Sequence, residues 1–167
     1  VARRTWGGVF VAESAGFDVI LVETVGVGQS EYEVHSMTDL FLVLMQPGAG
    51  DVLQGIKKGI LELADLIVVN KADGDAERLA SQSVVHYKNA MGFLNHQGFW
   101  TPEVLSVSSI EPRGIDTLWD RMVAYCEAGS EAIPARRAAQ ASQWFERLLN
   151  DGVTELLKAN AAWADLY

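Results

Sequence analysis

Leu66-Ile67-Val68-Val69-Asn70-Lys71-Ala72-Asp73 sets four apolar, mostly β-branched residues directly against a polar tetrapeptide. A run that is apolar at every position must be buried on both faces, the habit of a strand in a parallel sheet covered by helices. Three further runs share that character: Phe17 to Val22 (FDVILV), Leu40 to Met45 (LFLVLM) and Val104 to Val107 (VLSV). Between them the period changes to that of a helix. Leu53, Ile56, Ile60, Leu63 and Ala64 share one face of a crossover helix, and Asp75 to about Leu94 reads as a second helix. Ile115, Leu118, Trp119, Met122, Val123 and Cys126 line one face of a third, entered at Gly114 and Asp116 and ended at Gly129. Strands alternating with helices predict an α/β fold, a mostly parallel sheet between two helical layers. Beyond Pro134, Trp144, Phe145, Leu148, Leu149, Val153, Leu156 and Leu157 mark a long amphipathic helix outside the sheet. The boundary falls between Ala128 and Pro134, which gives a sheet-bearing unit over 1–130 and a helical extension over 131–167.

In an open α/β sheet the loops after the strands form the ligand crevice, so the tetrapeptide Asn70-Lys71-Ala72-Asp73 sits where a ligand is read. It matches the NKxD signature of guanine recognition. A carboxylate accepts two hydrogen bonds from guanine N1–H and N2–H₂, donors that adenine does not offer, and a site built for such bonds rejects the wrong base strongly. Asp73 is the expected reader, the aliphatic stem of Lys71 a cover for the purine face, and the Asn70 amide a tie between loops. Three specified residues recur by chance at roughly 1 in 8,000 positions, so a random match in a chain of this length is about a 2% event. The plain alternative is a helix-entry turn capped by Asp73.

Asp18-Val-Ile-Leu-Val-Glu23-Thr-Val-Gly26-Val-Gly28-Gln29-Ser-Glu31 reads as a strand ending in an acid and running into a glycine-paired turn. Glu23 is a candidate Mg²⁺ ligand and Gly26 N–H a candidate γ-phosphate contact, since no Cβ blocks its approach. Gln29 is a candidate for orienting an attacking water. A tight turn with glycine at positive φ explains the same spacing. Ser106-Val107-Ser108-Ser109 closes the set, with backbone N–H groups of Ser108 and Ser109 offered to guanine O6; a plain strand-to-loop exit is its alternative. The loop Gln46-Pro-Gly-Ala-Gly-Asp51, continuing to Lys57 and Lys58, is glycine-rich and follows a strand. No GxxxxGK[ST] occurs anywhere in the 167 residues.

Composition bounds the rest. With 49% apolar residues the chain supports one compact domain. A formal net charge of −9 repels a phosphate backbone or an anionic lipid surface, which argues against a nucleic-acid partner. Cys126 stands alone, so an intramolecular disulfide is excluded and a buried structural thiol is its default reading. No apolar run reaches the roughly 18 residues of a membrane span, and the amino terminus lacks the order of a secretory signal; a cytoplasmic protein with no membrane partner is expected. His35, His86 and His96 have no metal-binding spacing, and Tyr87, Phe93, Phe99 and Trp100 read as packing residues around the second helix.

ETVGVGQSE and PGAGDVLQGIKKGILELADLIVVNKAD resemble the methylmalonyl-CoA mutase-associated GTPases, the MeaB/ArgK group of P-loop G-proteins, over nearly the whole chain. That resemblance implies a three-layer P-loop NTPase-type sheet and a GTPase that binds GTP/GDP with Mg²⁺. It implies a role in guarding and loading an adenosylcobalamin-dependent mutase, with methylmalonyl-CoA mutase as partner. By it, Glu23 belongs to the Mg²⁺ site, Gln29 to the adjacent switch, and Asp51 and Lys57 to a mobile loop coupling the partner to hydrolysis. Helices after the GTPase domain form a homodimer in that group, which the helix from Arg137 onward would fit. The group's Walker A loop and first switch precede the residues matching Val1, so the phosphate cradle is expected upstream and weak GTP binding is expected of the 167 residues alone. The alternative is a truncated remnant that keeps a protein-binding surface without turning over nucleotide.

Overall fold

A computed structural model describes residues 2–24, 30–48, 58–93 and 98–159. Its elements in chain order are α1 (Ala2–Ser14), α2 (Ser30–His35), β1 (Leu42–Met45), α3 (Lys58–Leu63), β2 (Leu66–Val69), α4 (Glu77–Gly92), β3 (Glu103–Ser106), α5 (Ile115–Ala128) and α6 (Ala132–Ala159). The described strands form one sheet in the order β1-β2-β3, both pairings parallel, with Leu66 opposite Leu42 and Glu103. All four residues of β2 are fully buried, which is what an uninterrupted apolar run in a central strand requires. The core gathers β2 with Met45, Leu61, Ala64, Ala72, Ala80, Tyr87, Met91 and Val104, so α3 and α4 both cover it.

Two expectations fail in instructive ways. Phe17 to Val22 carries the composition of a buried strand but joins no ladder. After Gly16 (φ 86°) ends α1, the chain runs on as irregular backbone, with Phe17 64% and Leu21 84% exposed. Apolar content reports what a segment would gain by burial, whereas a strand also needs a neighbour with free backbone groups in register, and β1 bonds only to β2 among the described strands. On α5 the helical period is right but the rotation is wrong. Ile115, Trp119 and Val123 are exposed, as is Cys126, while Tyr125 is the fully buried residue. Tyr125 can go inside because its hydroxyl donates to Asp39 O (2.8 Å) and accepts from Arg136 Nη2 (3.0 Å). Phe99 and Trp100 pack on its ring rather than around α4, and Phe93 is open to solvent.

Gly114, at the entry to α5, has φ 76°, and a Cβ built there meets the Ser106 carbonyl oxygen at 2.5 Å. A left-handed position facing main chain leaves no room to relax. Gly114→Ala should therefore lower unfolding free energy by about 1–3 kcal/mol, read as a shift in the urea midpoint at unchanged slope.

The first half of α6 docks on the loop between α2 and β1. Gln140, 8% exposed, donates to Thr38 O (3.1 Å) and His35 O (3.4 Å). Arg137 grips both carboxylate oxygens of Asp39 and also reaches Glu13 of α1 (3.0 Å), while Trp144 stacks on Trp6 at 5.4 Å. Past that point the stripe continues into solvent: Phe145, Leu149, Val153 and Leu156 are all exposed. Among the described residues no helix is long and apolar enough to cross a membrane.

His35 and Asp65 lie under this junction. Burial lowers the His35 pKa from 6.5, against the pull of Asp65 and with the help of Arg136. Burial also raises that of Asp65, which accepts from Phe41 N at 2.8 Å. For His35 the unfolded chain takes up its proton first, so its contribution is present above pH 6.5 and lost as pH falls through the lowered value. Asp65 acts oppositely: its contribution is present below its ordinary 3.8 and lost as pH rises through the raised value. The stability difference between wild type and His35→Gln should accordingly shift against wild type as pH falls from about 7.5 to about 5.5 in paired urea titrations. A constant difference across that range would contradict the burial of a neutral imidazole.

Candidate functional site

β2 ends at Val69, and the chain turns out of the sheet through Asn70, whose N–H continues the ladder onto Met45 O (2.9 Å). Lys71 follows at φ 61°, the left-handed region that a lysine adopts only under constraint. Strain of this kind persists where surrounding bonds over-determine the backbone, and here they do. Ala72 N donates to Val107 O (3.0 Å), and Arg113 Nη2 donates to Ala72 O (2.8 Å). Asp73 then precedes the 3₁₀ turn Gly74–Ala76 that leads into α4.

As an N-cap, Asp73 makes no side-chain capping bond. Its Oδ2 instead accepts the hydroxyl of Ser108 at 2.5 Å, reaching across from the end of β3. The helix-entry reading of this acid therefore loses its physical content. Ser108 is fully buried, and its Oγ also accepts Glu111 N (3.0 Å). Asn70 Oδ1 accepts Lys71 N (2.7 Å) and Ser109 Oγ (3.1 Å). Asn70, Lys71, Asp73, Ser108 and Ser109 thus meet at the carboxyl ends of two adjacent parallel strands, the crevice position of an open α/β sheet. Asp73 Oδ1 bonds to no described side chain, and the exposed Lys71 side chain makes no ion pair with a described residue.

One expected contact changes hands. The Ser108 N–H is taken by Arg113 O (3.0 Å), so it is not available to a base; Ser108 acts through its hydroxyl, and the Ser109 N–H is the one without a described partner. Glu23 is exposed and follows irregular backbone instead of ending a strand. A single hard oxygen donor suits Mg²⁺, which is usually held by one or two carboxylates together with phosphates and waters. No group of three His, Cys, Asp or Glu among the described residues forms a cation cage. Gly26, Gln29, Asp51 and Lys57 lie outside the described residues. A cleft of about 190 Å³ runs behind the turn, lined by Ala72, Glu77, Ser81, Val107, Ser108 and Arg113 among others; none of Asn70, Lys71 or Asp73 lines it.

The family described as "Methylmalonyl Co-A mutase-associated GTPase MeaB" matches residues 1–162. The chain belongs to the MeaB family. Within reach of it are a Caulobacter vibrioides protein, 45% identical over 99% of this chain and 52% of that protein, and "GTPase ArgK" of Escherichia coli, 42% identical over 91% of this chain and 47% of that protein. The mouse "Methylmalonic aciduria type A homolog, mitochondrial" is 39% identical over 96% of this chain and 39% of its own length. A crystal structure of a LAO/AO transport system kinase superposes with TM-score 0.84 at 37% identity, covering 98% of this chain and 53% of that one. The MeaB resemblance and the parallel α/β fold with a helical carboxy-terminal part are thereby borne out. The chain spans about half the length of the curated MeaB relatives it matches.

Two residues of this MeaB chain escaped the sequence reading. Arg113 sits in a loop with no motif, and its contact with the turn is to a main-chain carbonyl, which leaves no trace in side-chain patterning. Tyr125 was hidden by a more apolar face on the same helix. A polar aromatic among apolar neighbours is the only hint the sequence offers.

Proposed function

We propose that the chain is the guanine-recognising part of a GTP-binding, GTP-hydrolysing protein that serves an adenosylcobalamin-dependent mutase. One observation carries the base preference: the Asp73 carboxylate caps no helix N–H and is steadied by Ser108 at Oδ2, with Oδ1 left for donors from outside. Guanine presents two adjacent N–H donors to such a carboxylate, and adenine presents none in that arrangement. The Lys71 stem would lie along the purine face and Ser109 N–H would meet O6. Mg²⁺, with Glu23 as a protein ligand, would offset charge on the phosphates. Gly26 at the γ-phosphate, Gln29 at the attacking water, and Asp51 and Lys57 in a loop responsive to the partner complete the hydrolytic reading, all by resemblance to the family.

The family description and the relatives' names support GTP as substrate and association with a mutase; chaperoning of that mutase's cobalamin cofactor is added by resemblance to the family. A sheet-bearing unit over 1–130 and an arm over 131–167 fit that scheme. The exposed stripe Phe145, Leu149, Val153 and Leu156 is the surface a second copy would cover in a homodimer. The chain's net charge of −9 disfavours a nucleic-acid partner, and a cytoplasmic setting suits the free Cys126.

Thermal unfolding in millimolar nucleotide tests the base preference, because a ligand that binds only the folded state raises the transition by mass action. GDP and GTP should raise the melting temperature while ADP and ATP at equal concentration leave it unchanged; equal stabilisation by both bases would remove guanine from the proposal. Phosphate release from GTP, measured alongside, separates a hydrolase from a binding remnant.

A further inference from the structure

We infer that Arg113 is a positioning residue for base discrimination, which rests on the guanine reading of Asp73 given above. Its side chain and its main chain hold different flanks of that acid. The guanidinium Nη2 donates to Ala72 O at 2.8 Å, and this carbonyl belongs to the peptide unit that carries the Asp73 N–H. Fixing one end of a planar peptide fixes the other and so places the Asp73 N and Cα, from which the Cα–Cβ bond leaves at the Asp73 φ of −134°. On the other flank, Arg113 and Ser108 form an isolated antiparallel bridge, Ser108 N to Arg113 O at 3.0 Å and Arg113 N to Ser108 O at 3.4 Å. Ser108 is the residue whose hydroxyl donates to Asp73 Oδ2. One residue therefore sets both the backbone that aims the carboxylate and the hydroxyl that steadies it.

The guanidinium is itself held in place. Nη1 pairs with Glu77 Oε1 at 2.7 Å and Nη2 reaches Glu111 Oε2 at 3.3 Å, so its planar fork meets Ala72 O in one orientation. These ion pairs are half exposed, and exposed pairs add little to stability. Geometry, more than stability, is what they supply. The turn needs that support because Lys71 at φ 61° occupies a region that a lysine adopts only under constraint, and letting go of Ala72 O removes one of the bonds that impose it. Catalytic chemistry is not assigned to Arg113; it acts on the base only through Ala72, Ser108 and Asp73.

The test compares guanosine with inosine, which lacks only the 2-amino group, using amide shift titrations of the full chain at millimolar nucleoside. Loss of one hydrogen bond to a carboxylate predicts a wild-type preference for guanosine of about 10-fold or more. Arg113→Gln should bring that ratio below about 3-fold, and Arg113→Lys, which restores only a single charged donor, should bring it to no more than about 4-fold. Arg121→Gln removes the same charge at a pair with Glu103 away from the turn and should keep the wild-type ratio. If Arg113→Gln does not fold, Arg113→Lys carries the comparison alone. A ratio in the Arg113 variants within twofold of wild type, even with a lowered melting temperature, overturns the inference and leaves guanine recognition standing. A wild type that binds guanosine and adenosine alike overturns the guanine reading, and the inference with it.

Discussion

Asp73→Asn should invert the base preference from guanine to xanthine, changing the ratio of GMP to XMP affinity by about 100-fold or more. The carboxylate accepts from both N1–H and N2–H₂, and hydrogen bonds to a charged group contribute about 1.5–3 kcal/mol each. An amide keeps one acceptor but turns a donor toward the 2-amino group, so one attractive contact becomes donor against donor. Xanthine carries a carbonyl at that position and accepts what the amide offers. Ser108 Oγ can still donate to the remaining side-chain oxygen, which keeps the new group in the place of the old one. Competition between the two monophosphates on wild type and variant checks this. Parallel loss of both ligands would instead mean that the substitution damaged the turn.

Tyr125→Ala is expected to be the most destabilising single truncation in the α5–α6 region, at about 3–5 kcal/mol in urea unfolding. The ring is fully buried against Phe99 and Trp100, with centroids at 5.1 and 5.3 Å, so its removal opens a cavity between α5 and the loop before β3. The hydroxyl adds a polar term. It donates to Asp39 O and accepts from Arg136, whose Nε is buried without a partner among the described residues. Burial first, and the Asp65 charge second, push the phenol pKa far above its usual value, so it stays a neutral donor throughout the physiological range. Tyr125→Phe keeps the ring and should lose about 1–2 kcal/mol, the difference between the two variants separating packing from hydrogen bonding. Because Asp39 is also the anchor of Arg137, the alanine variant should loosen the first half of α6, visible as faster amide exchange near Gln140.

The strands β1, β2 and β3 were readable because an apolar run buried on both faces looks the same in sequence and in space, and Leu66–Val69 is placed to the residue. Leu40 to Met45 and Val104 to Val107 are each displaced by a residue or two, since strand ends depend on which backbone groups find partners: the Phe41 N–H is taken by the Asp65 carboxylate instead of by the ladder. Phe17 to Val22 misled for the same reason on a larger scale. The site was half legible. Asn70, Lys71 and Asp73 follow from a motif whose chemistry dictates residue types, whereas Ser108 and Ser109 were expected only for their main-chain N–H groups. The hand-off of the Ser108 N–H to the Arg113 carbonyl is a main-chain event that any residue of suitable shape would permit, and the grip of the Arg113 guanidinium on Ala72 ends on a main-chain oxygen that carries no side-chain signature.

Amide shifts of the labelled chain on addition of GMP, set beside AMP, decide most directly whether Asp73 reads a purine edge. GMP should move the resonances of Asn70, Lys71, Ala72, Asp73, Ser108 and Ser109 in a saturable way, and AMP at the same concentration should leave them where they are. Equal movement of those six amides with AMP, or GMP-induced shifts confined to other parts of the chain, would contradict guanine recognition at this turn.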